Sequence, residues 1–295
     1  MSSSDAATLD SAAAAPRDDG VGRSWSPRFL LSEFRLVFTR RRNLAMLAVL
    51  AGAPLLLGLA IRLSTRHPAG GGGPAFIGQI TRNGLFLTFT SLVVTLPLFL
   101  PLVVAVVAGE AVAGEASTGT LRSLLVVPVG RTRLLAVKFA GIVAYAVAAT
   151  MVVGVSAIVV GFALFPTGPV TLLSGDTIPL SAALARVLLV ALYVAAMLAS
   201  VAAIGLFVST LTEVPLAAMA TTAILVIVIE ILDAIPQISQ IHPYLMTQWW
   251  LAFGDLVRNP VSYDTILHGL LVTLVYVAVF GSLAWARLTT RDITS

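Results

Sequence analysis

The chain has 295 residues, of which 58% are hydrophobic and only 11% charged. A soluble domain carries about 25% charged residues, so most of this protein's surface does not face water. Cysteine is absent, which excludes disulfides, thiolate metal sites and a cysteine nucleophile.

The formal net charge is +4 and the isoelectric point about 10. The basic residues cluster at the ends of apolar runs. Anionic lipid headgroups are therefore the expected partner, and nucleic acid is not. One lysine stands against seventeen arginines, and alanine is abundant, which reads as the composition of a GC-rich bacterial genome. Residues 1–27 are rich in Ser, Ala and Asp and lack the apolar core of a signal peptide. They read as a disordered cytoplasmic tail.

The segment from Ser26 to Asn43 places Phe29, Leu30, Phe34, Val37 and Phe38 roughly on one helical face, flanked by Arg28, Glu33, Arg35 and the run Arg40-Arg41-Arg42. This pattern predicts a helix lying in the headgroup plane, because the triple arginine resists entry into hydrocarbon. A helix needs about 20 apolar residues to cross the bilayer core. Six such spans follow: Leu44 to Ile61, Leu85 to Ala108, Leu134 to Phe165, Ala182 to Val208, Pro215 to Leu232 and Ile266 to Ala286. Four consecutive glycines, Gly70 to Gly73, form a flexible connector after the first. Pro97 and Pro101 lie inside the second and can kink it, for gating or simply to fit neighbouring helices. The third is longer than the bilayer needs and should tilt or project.

From Arg28 onward, Arg and Lys number eleven on the side that holds both termini and five on the other. Both termini are therefore expected in the cytoplasm. The fold class is all-α, a polytopic membrane protein of six spans occupying residues 28–295.

The longest cytoplasmic connection joins the second and third spans, from Gly109 to Lys138. Glu110 and Glu115 come first. Gly119 can break the preceding helix and Thr120 can cap a short new one. Leu121, Leu124 and Leu125 then form an apolar stripe with Arg122 and Ser123 off it, and Pro128 stops the helix. Arg131, Arg133 and Lys138 meet the headgroups where the third span begins. Such a helix suits the groove of a soluble partner, or rests its leucines on the membrane; the residues alone leave both open.

The spacing Glu115, Gly119-Thr120-Leu121, Leu124-Leu125, Pro128-Val129, Arg131, Leu134-Leu135 and Lys138 resembles the permeases of type-2 ATP-binding-cassette (ABC) exporters. His242 to Trp250 is similar to that family's outer segment before the last span, and Arg291-Asp292-Ile293 to its closing motif. The resemblance covers about residues 28 to 293. It implies an N-terminal elbow helix, six spans, and a coupling helix in this loop that docks on a separate nucleotide-binding subunit. Leu121, Arg122, Leu124 and Leu125 would form the docking face, with Glu115, Arg131 and Lys138 orienting the loop. ATP and Mg would be bound by the partner, and two permease copies, alike or different, would enclose the substrate path. The turn from Ser209 to Glu213 would be a second, smaller contact, or a plain turn.

Arg186 and Glu230 are expected near the outer leaflet, where an ion pair between them would form an outer gate or simply satisfy two buried charges. The stretch from Asp233 to Thr265, with Trp249, Trp250 and Tyr263, reads as an outer cap, an aromatic belt, or both. His67, His242 and His268 are scattered and suggest no metal site. The single lysine lies outside any G-x-x-x-x-G-K-[ST] motif, so the chain lacks the usual phosphate-gripping loop and is not expected to hydrolyse ATP itself. An ion-coupled carrier acting alone is the competing class, as is a membrane scaffold. A carrier needs protonatable groups near the midplane, and Glu230, off-centre, is the candidate.

Overall fold

The computed structural model describes residues 27–66, 80, 83–117, 131–171 and 174–290. Its helices are α1 (Pro27–Thr39), α2 (Arg41–Arg66), α3 (Phe86–Thr95), α4 (Phe99–Ser117), α5 (Arg131–Leu164), α6 (Leu180–Leu211), α7 (Pro215–Asp233) and α8 (Asp264–Thr290). Three 3₁₀ helices, Pro236–Ile238, His242–Tyr244 and Thr247–Val257, bridge α7 and α8. A two-stranded antiparallel hairpin, β1 (Val170–Thr171) and β2 (Thr177–Ile178), bridges α5 and α6. Its turn contains Gly175 at φ +90°, a left-handed conformation that a side chain would strain.

Six helices are long and apolar enough to cross a membrane: α2, α4, α5, α6, α7 and α8. The protein is an all-α polytopic membrane protein. Large apolar side chains such as Leu56, Leu216 and Leu274 stand 70%, 73% and 62% exposed. Surface of this kind on helices of this length calls for hydrocarbon around it.

The helix α6 is the hub. It packs against α4, α5, α7 and α8, and most of its apolar stretch is buried. Its sequence explains this. Small residues including Ala195, Ser200, Ala202, Ala203 and Gly205 let neighbouring backbones come close where no hydrophobic effect drives helices together. A Cβ at Gly205 would lie 2.5 Å from that of Ala108 on α4, and a Cβ at Gly109 would lie 2.6 Å from the Met219 amide nitrogen on α7. Three helices therefore meet at these two glycines.

The second crossing differs from the single helix expected over Leu85 to Ala108. It is split into α3 and α4 by a turn at Leu96 to Leu98. Pro97 has no N–H for the carbonyl four residues back, and Pro101 has none for the Pro97 carbonyl, so two rungs of the ladder are missing in one turn. The backbone at Leu96 stays right-handed (φ −68°, ψ −41°), and α3 and α4 together traverse the bundle. The Gly84 amide just before α3 donates to the Pro166 carbonyl at one end (2.9 Å). Glu110 on α4 pairs with Arg40 at the other.

The third crossing, α5, has 34 residues, about 51 Å at 1.5 Å per residue. This exceeds a core of about 30 Å, as expected. An even number of crossings brings the described ends, Pro27 and Thr290, to the same end of the bundle.

Candidate functional site

That shared end is where the charges converge. The amphipathic helix α1 stops at Thr39, and α2 starts after a non-helical Arg40. Asn43 holds the corner: its Nδ2 donates to the Val37 carbonyl at 2.8 Å, satisfying a carbonyl at the end of α1. The Tyr145 hydroxyl on α5 donates to the Asn43 carbonyl at 2.8 Å, and the Tyr145 ring packs on Phe38 with centroids 5.8 Å apart. Val37 is buried, and Leu30, Phe34 and Phe38 are half-buried. The apolar face expected to meet headgroups thus rests partly on α5. Leu31 and Leu36 remain exposed.

Lys138, on the second turn of α5, is the chain's single lysine and is 2% exposed. Its Nζ donates to Glu115 Oε1 at 2.6 Å and to Glu33 Oε1 at 3.4 Å. Glu115 belongs to the last turn of α4 and Glu33 to α1. One buried ammonium therefore joins three helices. Beside it, Glu110 accepts from Arg42 and pairs with Arg40 at 2.6 Å, tying α4 to the start of α2. The Lys138 group is the enclosed one, and removing one member of an enclosed ion pair is costly.

A third tie uses no charge. The Ser209 hydroxyl on α6 donates to the Gly109 carbonyl at 2.7 Å and accepts from the Val112 and Ala113 amides at 3.0 and 2.9 Å. Ser209 is fully buried. It bonds to the α4 backbone from Gly109 to Ala113, the stretch that carries Glu110 and leads to Glu115. The connection from α6 to α7 that follows is short. Thr212 is extended, its Oγ1 accepts from the Val214 amide at 3.1 Å, and Pro215 opens α7 where a missing N–H does no harm. The turn from Ser209 to Glu213 is thus anchored, through Ser209, on the helix that leads to Glu115.

Of the residues singled out for coupling, Glu115 and Lys138 are brought into direct contact. Arg131 opens α5, but its side chain lies outside the described residues. Gly119, Thr120, Leu121, Arg122, Leu124, Leu125 and Pro128 also lie outside them, as do Gly70 to Gly73, His67 and the Arg291-Asp292-Ile293 motif. Sequence reasoning missed the partnerships of Glu33, Glu110 and Ser209. In the sequence Glu33 reads as a polar flank, yet its place on the apolar side of α1, one turn from Val37, is a usable signal for a buried contact.

At the opposite end the expected Arg186–Glu230 ion pair is not formed. Arg186 Nη1 donates instead to the carbonyls of Leu256 (3.2 Å) and Arg258 (2.7 Å). The 3₁₀ helix Thr247–Val257 lies against α6 and α8 and brings those carbonyls within reach. Glu230 stays on α7, with Asp233 one turn on. The Tyr193 hydroxyl donates to the Trp249 carbonyl (2.8 Å), and Trp249 stacks on His268 with centroids 5.7 Å apart. Gly269 leaves the room for this: a Cβ there would stand 2.5 Å from the Tyr193 hydroxyl. Trp250 is buried, while Tyr263 is exposed. Among the described residues no group of three or more His, Asp or Glu is placed to hold a metal ion.

No curated protein matches this sequence. A family described as "Protein of unknown function (DUF2705)" matches residues 75–294, about three-quarters of the chain. The match takes in Glu110, Glu115, Lys138 and Ser209, whereas Glu33, Arg40 and Arg42 precede it. With that coverage, the chain belongs to the DUF2705 family.

Proposed function

We propose that this chain is the transmembrane permease subunit of an ABC exporter, driven by a separate ATP-hydrolysing subunit. The observation that carries the reading is the Lys138 clamp. Residues 118–130 form the connection between α4 and α5, and Glu115 and Lys138 sit on its two flanks, 2.6 Å apart. Glu33 extends the same contact to α1. A push on that connection reaches three helices at once. It reaches α6 as well, because Ser209 grips the α4 backbone one turn before Glu115. Rigid ties of this kind suit a rigid-body switch.

In this reading the arginine-rich end faces the cytoplasm, and α1 is an elbow lying at the inner surface of the cell membrane. A short coupling helix within residues 119–128 docks on the nucleotide-binding partner through Leu121, Leu124 and Leu125. The partner binds ATP and Mg. A second permease copy, identical or not, completes the path. The protein catalyses no reaction of its own.

Leu124→Asp or Leu125→Asp tests this. The charge should abolish copurification of the ATP-hydrolysing subunit and any transport-linked ATP hydrolysis, while leaving the spans inserted. Unchanged copurification with both variants would contradict the docking role.

A further inference from the structure

The charged end encloses a cavity of about 20 Å³ lined by Glu33, Arg40, Asn43, Glu110, Glu115 and Lys138, among others. A cavity needs about 10–15 Å³ on this measure to admit one water, together with two to four polar partners. Asn43 is 2% exposed. Its Nδ2 donates to the Val37 carbonyl, and this fixes which way the amide points, since turning it would set two oxygens against each other. Oδ1 is then left buried with no hydrogen-bond donor among the described residues. A buried amide oxygen without a donor is costly. The ammonium of Lys138 has three N–H groups, and Glu115 and Glu33 take two of them.

We propose that this cavity is a binding site for one structural water. The water donates to Asn43 Oδ1, accepts from Lys138, and gives its second proton to a carboxylate of the lining. It sits between the two ion-pair groups whose members line the cavity, Lys138 with Glu33 and Glu115 on one side and Arg40 with Glu110 on the other. A neutral ligand is favoured over an ion. Lys138 and Arg40 in the same small space repel a cation, and three carboxylates repel an anion. The site does not depend on what the neighbouring loop binds.

The test is an experimental structure of the full-length wild-type protein, prepared in sodium-free choline buffer, at a resolution that shows ordered water at other buried polar groups. One peak is expected about 2.7–3.2 Å from Asn43 Oδ1, with a second contact to Lys138 or to a lining carboxylate. An empty cavity, or a peak that appears only when sodium is restored and sits about 2.3–2.6 Å from several oxygens, would overturn the proposal.

Discussion

The two ends of the bundle are held by different chemistry. At the charged end, helices remote in sequence are joined through side-chain ions: Lys138 to Glu33 and Glu115, and Arg40 and Arg42 to Glu110. At the opposite end Arg62 and Arg186 reach backbone carbonyls, while the ion pair of Arg258 with Asp255 (3.6 Å) is local, three residues apart and exposed on the arginine side. Arg62 donates to Leu164 (2.7 Å), and Arg186 to Leu256 and Arg258. Neutral groups do the rest, with Asn83 reaching the Gly168 and Pro169 carbonyls and Tyr193 that of Trp249. A carbonyl partner is always present and never changes charge. An ion pair can be broken by removing either member, and its surface portion is screened by salt. The difference suits one end to fastening and the other to transmitting a change in its surroundings.

The largest effect that sharpens this contrast is expected from Lys138→Met. It leaves Glu33 and Glu115 facing each other, only 13% and 15% exposed. Halving a buried ion pair costs about 3–5 kcal/mol, so a pronounced fall in the thermal midpoint of the purified protein is expected. Ser209→Ala comes next. It removes a buried hydroxyl that bonds two amides and a carbonyl of α4, and at about 0.5–1.5 kcal/mol per hydrogen bond a loss of about 1–3 kcal/mol is expected. At the opposite end, Tyr193→Phe removes one neutral hydrogen bond, worth about 1 kcal/mol. A loss from Tyr193→Phe equal to that from Lys138→Met would break the comparison.

Most of the architecture was legible in the sequence, since a run of about 20 apolar residues has few other uses. The spans expected over Leu134 to Phe165 and Pro215 to Leu232 lie within three residues of the ends of α5 and α7. The first helix begins earlier than the expected span, at Arg41, and Arg42 in its first turn reaches Glu110. Pro97 and Pro101 are plain in the sequence of the second span, yet whether they bend or interrupt the helix depends on packing, which no local pattern encodes. The site was legible in part. Glu115 and Lys138 stood out through the spacing of their loop. Glu33 lies 105 residues from Lys138, and Ser209 lies 100 from Gly109. Contacts at such separations follow from helix placement, not from periodicity.

The smallest expected effect concerns the partly exposed pair. Arg40 and Arg42 are 36% and 43% exposed beside Glu110. Arg42→Gln should therefore cost only about 0–1 kcal/mol, and the cost should shrink as salt is raised in a thermal-shift series. The Lys138→Met penalty should hardly respond to salt, because that site is enclosed.

The absence of native cysteine makes the central claim directly accessible. A single Leu124→Cys substitution in the full chain, crosslinked in membrane vesicles, asks what the connection between α4 and α5 touches. A covalent product with the ATP-hydrolysing subunit, and labelling by an impermeant thiol reagent only from the cytoplasmic face, is the expected result. Labelling from the external face, or crosslinks to lipid alone, would contradict it.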